Sequence, residues 1–126
     1  MRKIEQYEFR HESALINMLA LEPEWNAFIN VSAIGDFKKA LVQSETLVCE
    51  IHGEVCGYLR AINDAFGVYV SELYVAPGFR CQGHGRALLD TLREHFPGKK
   101  VYVLSDEDLY YEKLGLERAG SVFLLS

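Results

Sequence analysis

Residues 71–89 read Ser71-Glu72-Leu73-Tyr74-Val75-Ala76-Pro77-Gly78-Phe79-Arg80-Cys81-Gln82-Gly83-His84-Gly85-Arg86-Ala87-Leu88-Leu89, a strand that runs through a glycine-spaced loop into a helix. The first turn of a helix leaves backbone N–H groups without partners, and the macrodipole adds partial positive charge there. Gly83 and Gly85 carry no side chain to block an anion, and Arg80 and Arg86 flank them with fixed charge. The guest that suits this arrangement is a pyrophosphate. Two glycines alone also fit a plain strand-to-helix turn. The dinucleotide-binding fingerprint fits poorly, since no third glycine stands at its spacing. No Gly-Lys-Ser/Thr follows, so a Walker A loop is excluded.

Upstream of this segment, Lys3 to Phe9 reads as a first strand. His11 to Leu21 carries Ala14, Leu15, Met18 and Leu19 as one helical stripe, which Glu22-Pro23 ends. Ser32 or Asn30 can cap a second helix, in which Ile34, Phe37 and Leu41 share a face. Thr46–Ile51 and Glu54–Ile62 then form a hairpin about His52-Gly53. A two-residue turn sets Ile51 against Glu54, Glu50 against Val55 and Cys49 against Cys56. Val68 to Val75 is the next strand. Downstream, His84 to Phe96 is the clearest helix, stopped by Pro97-Gly98. Lys100 to Leu104 is a strand. Ser105-Asp106-Glu107-Asp108 has the spacing of an N-terminal cap for a short helix that Gly115 closes. Leu116 to Leu125 is apolar enough for one or two more strands. The order is β-α-α-β-β-β-α-β-α-β, a mixed α/β layer arrangement without repeats or linkers.

The chain has 126 residues, of which 49% are hydrophobic, and we expect one domain over 1–126 with a real core. Thirteen Lys and Arg against 18 Asp and Glu give a net charge of −5, which argues against a nucleic-acid partner. The same charge suits a cationic amine. No apolar run approaches a membrane span, and the charged start at Arg2-Lys3 is unlike a signal peptide. Three cysteines without metal-like spacing fit a reducing compartment, so the expected location is cytoplasmic, with no metal. Cys49 and Cys56 then read as small buried apolar side chains. The histidines at 11, 52 and 95 read as caps, turns and helix surface, and His84 as a loop residue contributing its amide.

Val75 to Arg86 resembles the acetyl-CoA signature of the GNAT superfamily of N-acyltransferases, whose core Gln/Arg-x-x-Gly-x-Gly/Ala is matched by Arg80, Gly83 and Gly85. Asp108 to Leu116 resembles that family's Phe-Tyr-x-Lys-x-Gly-Phe segment, with Tyr110 for the first Phe and Leu116 for the last. The element order follows the family along the whole chain. The resemblance implies a mostly antiparallel twisted sheet of about six to seven strands with helices on both faces. It also implies acetyl-CoA as co-substrate. The pantetheine would lie along the backbone of Leu73, Tyr74 and Val75, and the pyrophosphate in a cradle from Gln82 through Gly83, His84 and Gly85 to Arg86, with Arg80 and Cys81 in the same cofactor-binding loop. An amide near Val75 would polarise the thioester carbonyl.

By the same resemblance, a primary amine of a small molecule, peptide or protein attacks the thioester directly. Tyr111 matches the tyrosine that gives the departing thiolate its proton. Glu72 is the candidate base, or else a plain surface carboxylate. In a regular strand it points opposite to Leu73 unless a β-bulge intervenes. Trp25 and Phe28 fall where the family places its substrate wall, and Trp25 equally suits core cover. Cys81 reads as a bystander rather than a nucleophile. Ser105 could replace an asparagine that often contacts the cofactor. The short end leaves two readings: one of the last strands is absent, or a partner supplies it in a homodimer. A CoA-binding regulator without turnover is the alternative function. A transfer-RNA-modifying toxin fits poorly with the acidic charge.

Overall fold

A computed structural model describes residues 1–126. Strands β1 (Arg2–Gln6), β2 (Glu45–Ile51), β3 (Glu54–Asn63), β4 (Gly67–Val75) and β5 (Lys100–Val103) form one sheet in that order. The first four are antiparallel and β5 runs parallel to β4. Helices α1 (Glu12–Leu19), α2 (Asn26–Ile29) and α3 (Ile34–Gln43) lie between β1 and β2, α4 (His84–His95) between β4 and β5, and α5 (Asp108–Lys113) after β5.

Strand alternation divides the core between the two faces of the sheet. On one face Leu15, Leu19, Phe37 and Leu41 of α1 and α3 pack with Val48, Tyr58 and Tyr74. On the other, Leu88, Leu89 and Leu92 of α4 pack with Leu47, Leu59, Val68 and Val70. Helices on both faces agree with the sequence reading. The hairpin turn also agrees, with φ of 51° at His52 and 81° at Gly53, the left-handed pair a two-residue turn requires.

The register departs in two places. Ile51 faces Glu54 and Glu50 faces Val55, but a bulge then sets Cys49 opposite Gly57 instead of Cys56. The extra residue reverses alternation, so Cys56 still turns to the α4 face, its sulfur 3.5 Å from that of Cys49. A second bulge leaves Ser71 unpaired between Val70 and Glu72. Val70 and Leu73 therefore share the α4 face across an odd spacing, while Glu72 and Tyr74 take the other.

Other boundaries sharpen. The first predicted helix is a 3-10 turn, Phe9–His11, followed by α1, and the second is divided into α2 and α3. Neither Ser32 nor Asn30 is the N-cap of α3, which is Ala33; Asn30 instead orders the turn between α2 and α3, accepting the N–H groups of Ser32 and Ala33 on its Oδ1 at 2.9 and 3.0 Å. The sheet has five strands rather than six or seven. Residues 116–126 form no strand, and Val122 to Leu125 are 75–99% exposed. A four-residue β5 offers few ladder bonds against the roughly 1–2 kcal/mol that ordering each tail residue costs.

His11 is not a surface cap but is 1% exposed. Its Nδ1 accepts the Glu8 N–H at 2.9 Å, so its proton sits on Nε2, 3.0 Å from Glu5 Oε1. Burial, then Arg10, hold its pKa below the ordinary value of 6.5, while Glu50 and Glu8 oppose this. A histidine with a depressed folded pKa stabilises the fold above its unfolded pKa, and that stability is lost as pH falls below it. We expect the urea midpoint to drop between pH 7.5 and pH 5.5, and His11→Gln to flatten that drop. An equally steep drop in His11→Gln would rule His11 out as its source.

Candidate active site

The ladder between β4 and β5 stops early. Gly67 to Val70 pair with Lys100 to Val103, and the Leu104 N–H donates to Val70 O at 3.0 Å. Beyond that point Ser71 to Val75 have no partner on the β5 side, and a cleft of about 750 Å³ opens between the diverging chains. Leu104, Ser105, Asp106 and Glu107 form one lip, Tyr110 and Tyr111 of α5 one wall, and the loop into α4 the floor. Trp25 and Phe28 close the far end. Ala76 N–H donates to Cys56 O at 2.8 Å, so antiparallel alternation turns the backbone of Tyr74 toward β3 and that of Leu73 and Val75 into the gap.

The loop takes a shape that few residues accept. Cys81 and Gly83 have φ of 64° and 83°, and Gly83 caps α4 with no side-chain hydrogen bond to its amides. A non-glycine residue held left-handed costs on the order of 1 kcal/mol. At Gly85 an added Cβ would run into the Tyr110 hydroxyl. Gly83 thus carries no side chain over the start of α4, and Gly85 makes room for the Tyr110 hydroxyl.

The flanking charges are arranged differently from the sequence reading. Arg80 donates from Nε to Val75 O at 2.7 Å and from Nη2 to Glu22 at 2.9 Å, and lies over the Tyr74 ring. Arg86 donates to Leu114 O at 2.6 Å and pairs with Asp90 at 3.3 Å. Both guanidiniums are committed away from the first turn of α4. His84 contributes more than an amide: its side chain is 6% exposed, with Nδ1 3.2 Å from Arg2 Nη1 and Nε2 3.3 Å from Gln82 Oε1.

The acetyltransferase (GNAT) domain family matches residues 43–118, the span from the end of α3 through α5. This chain belongs to the GNAT family. It is 36% identical over 78 residues to a mycothiol acetyltransferase of Saccharomonospora viridis, an alignment covering 58% of this chain and 26% of that protein. The GNAT chain thus spans about a quarter of that relative's length. Among solved structures, a GNAT-family acetyltransferase from Streptococcus pneumoniae superposes with a TM-score of 0.73 at 21% identity, covering 99% and 98% of the two chains. An aminoglycoside N-acetyltransferase in complex with CoA gives 0.77 at 16% identity, covering 100% and 94%. At these identities the likeness concerns the fold.

Two candidate groups of the GNAT site differ in their freedom to act. Glu72 is 8% exposed and fully engaged. Arg60 donates to its two oxygens at 2.7 and 2.5 Å, Ser71 at 2.6 Å and Tyr58 at 3.1 Å. Both carboxylate oxygens are thus taken up by neighbours, and the group fastens the Ser71 bulge. Tyr111 lines the cleft while packing against the α4-side core. Burial raises its pKa, so the phenol keeps its proton through the neutral range. Tyr110 is also raised, first by burial and then by Cys81. Ser105 Oγ donates to Asp108 at 2.8 Å and accepts the Glu107 N–H at 3.1 Å, ordering the lip before α5. Trp25 packs on Tyr58 and Tyr74 with centroids at 5.9 and 5.3 Å and also lines the cleft.

Arg2, Tyr58 and Arg60 go unread in the sequence, and Glu22 reads there only as a neighbour of the substrate wall rather than a partner of Tyr74 and Arg80. All four approach the site across 82, 14, 12 and 52 residues of separation, which local periodicity does not encode.

Proposed function

We propose that residues 1–126 act as one N-acetyltransferase domain that moves an acetyl group from acetyl-CoA to a primary amine in a ternary complex. The observation that carries this reading is the stretch Ser71–Val75, without a partner on its β5 side and opening onto the glycine loop with two tyrosines on its wall. The residues fit the co-substrate. Leu73 and the Val75 N–H offer backbone groups to an extended amide chain, the Val75 carbonyl being held by Arg80, and Gly83 leaves the start of α4 open to phosphate oxygens. Acetyl-CoA supplies an activated thioester. The Val75 amide would orient and polarise the carbonyl, and Tyr111 would hold the proton that the leaving sulfur needs. Glu72 enters as the group that positions β4, and the amine arrives neutral or loses its proton to water. The known acceptor of the aminoglycoside N-acetyltransferase supports an amine here too.

Calorimetry with acetyl-CoA, followed by thiol release against a panel of amines, tests this. Binding with turnover is expected, and no binding would sink the reading. Gly83→Val should weaken acetyl-CoA at least about tenfold, because a β-branched residue resists φ of 83° at the mouth of the cradle. A second reading, a CoA-binding regulator, is favoured by the engagement of Glu72 with Arg60. Tight binding without turnover on any amine would select it.

A further inference from the structure

We propose that Arg2, on the first strand and outside the 43–118 segment that defines the family, supplies the main free positive charge for the phosphates of CoA. This rests on the CoA reading above. Three observations carry it.

The first is position. Ile4 packs against the α4-side cluster, so alternation sends Arg2 to the same face, toward the start of α4. Its Nη1 lies 3.9 Å from the place a Cβ on Gly83 would take and 3.2 Å from His84 Nδ1. Gly83 is the residue that caps α4. The guanidinium therefore stands beside the amides that would hold a phosphate.

The second is charge. Arg80 is paired with Glu22 and Arg86 with Asp90, whereas Arg2 makes no ion pair with any carboxylate. An arginine presents five donors and never loses its charge in this range. With one of those donors on a histidine nitrogen, most of the fork is left for an anion.

The third is anchorage. Nδ1 of His84 accepts from Arg2, so its proton lies on Nε2 and points at Gln82 Oε1. Burial and the adjacent Arg2 favour that neutral form. The run Arg2–His84–Gln82 holds the cation against the loop and spares a ligand part of the cost of ordering a long side chain. Neither composition nor motif reveals this, because a strand at the far edge of the sheet delivers the charge.

The test is calorimetric titration of CoA into wild type, Arg2→Ala and Arg2→Lys at low and high salt. Arg2→Ala is expected to raise Kd about tenfold, which is about 1.4 kcal/mol, and to flatten the salt dependence, since one less screened pair remains. Arg2→Lys should recover a large part of both. Repeating the titration with 3′-dephospho-CoA tells which phosphate is served. A difference between wild type and Arg2→Ala that persists marks the pyrophosphate, and one that vanishes marks the 3′-phosphate; either supports the proposal. Unchanged Kd in an Arg2→Ala protein of normal melting temperature overturns it. So does an Arg2→Lys protein as weak as Arg2→Ala, because charge would then not be the cause. Wild type that fails to bind CoA at all overturns the CoA reading itself, and this inference with it.

Discussion

Tyr111→Phe is expected to lower kcat for acetyl transfer by about a hundredfold or more, the usual scale for losing a positioned proton donor. The affinity for CoA should stay nearly the same. The variant removes one oxygen and keeps the ring that packs between the cleft and the α4-side core, so folding should survive. The wild-type phenol is protonated at neutral pH because burial opposes its ionisation, and a proton held at the cleft wall is what a departing thiolate lacks. Tyr110→Phe is the comparison. The Tyr110 hydroxyl lies against Gly85, so its removal should register in the Kd for CoA rather than in kcat. Steady-state rates and calorimetry on both variants decide the matter. A reversed pattern transfers the proton-donor role to Tyr110, and unchanged kcat in both removes phenols from the proton path.

Glu72→Ala should be the most damaging single change to the fold. It would leave Arg60, whose side chain is 15% exposed, with its charge uncompensated beside Tyr58. Removing one partner of a buried pair costs about 3–5 kcal/mol, and at this chain length that lowers the melting temperature by on the order of 10 °C. Replacing both residues, Arg60→Met with Glu72→Leu, should recover most of the loss, since an apolar pair needs no compensation. Urea melts of the three proteins check this. Kinetics of Glu72→Gln, run well below its melting temperature, address the carboxylate's chemistry. We expect less than about a tenfold loss per folded molecule, because both carboxylate oxygens are already engaged by Arg60, Ser71 and Tyr58 rather than turned to an amine. A loss of a hundredfold or more with the fold intact would restore Glu72 as the general base.

The elements were legible because their signals are local. The Ala87–Leu88–Leu92 stripe marks α4, His52-Gly53 dictates a two-residue turn, and the Gly83–Gly85 spacing marks the loop. Both tandem tyrosines line the cleft, and Tyr111 packs on the α4-side core as well. What stayed hidden is what one-residue shifts and distant contacts create. The bulges at Cys56 and Ser71 leave no composition signal, yet each changes which face the following side chains take. Arg80 and Arg86 read as phosphate ligands because sequence shows charges but not Glu22 and Leu114 O, the partners that engage them. His11 read as a cap, turn or helix-surface group and His84 as a loop residue contributing its amide, because nothing local announces that both side chains are buried beside β1 residues. The apolar tail read as strand on composition, and a four-residue neighbour is too short a template to order it.

The short β4–β5 ladder also bears on how the molecule comes apart. The hydrogen bonds that join everything after α4 to the rest are those of four paired residues, the Leu104 N–H, the Lys99 contacts to Asn63 and Asp64, and Arg86 on Leu114. Few bonds in one place make that wing the first unit to open, ahead of global unfolding. A ligand seated between β4 and the Leu104–Glu107 lip would bridge the wing to the sheet. Its opening would then be governed by mass action, rarer in proportion to ligand concentration over Kd. The lifetime of the segment from Lys100 onward against a protease would thus become a gauge of how much acetyl-CoA surrounds the protein.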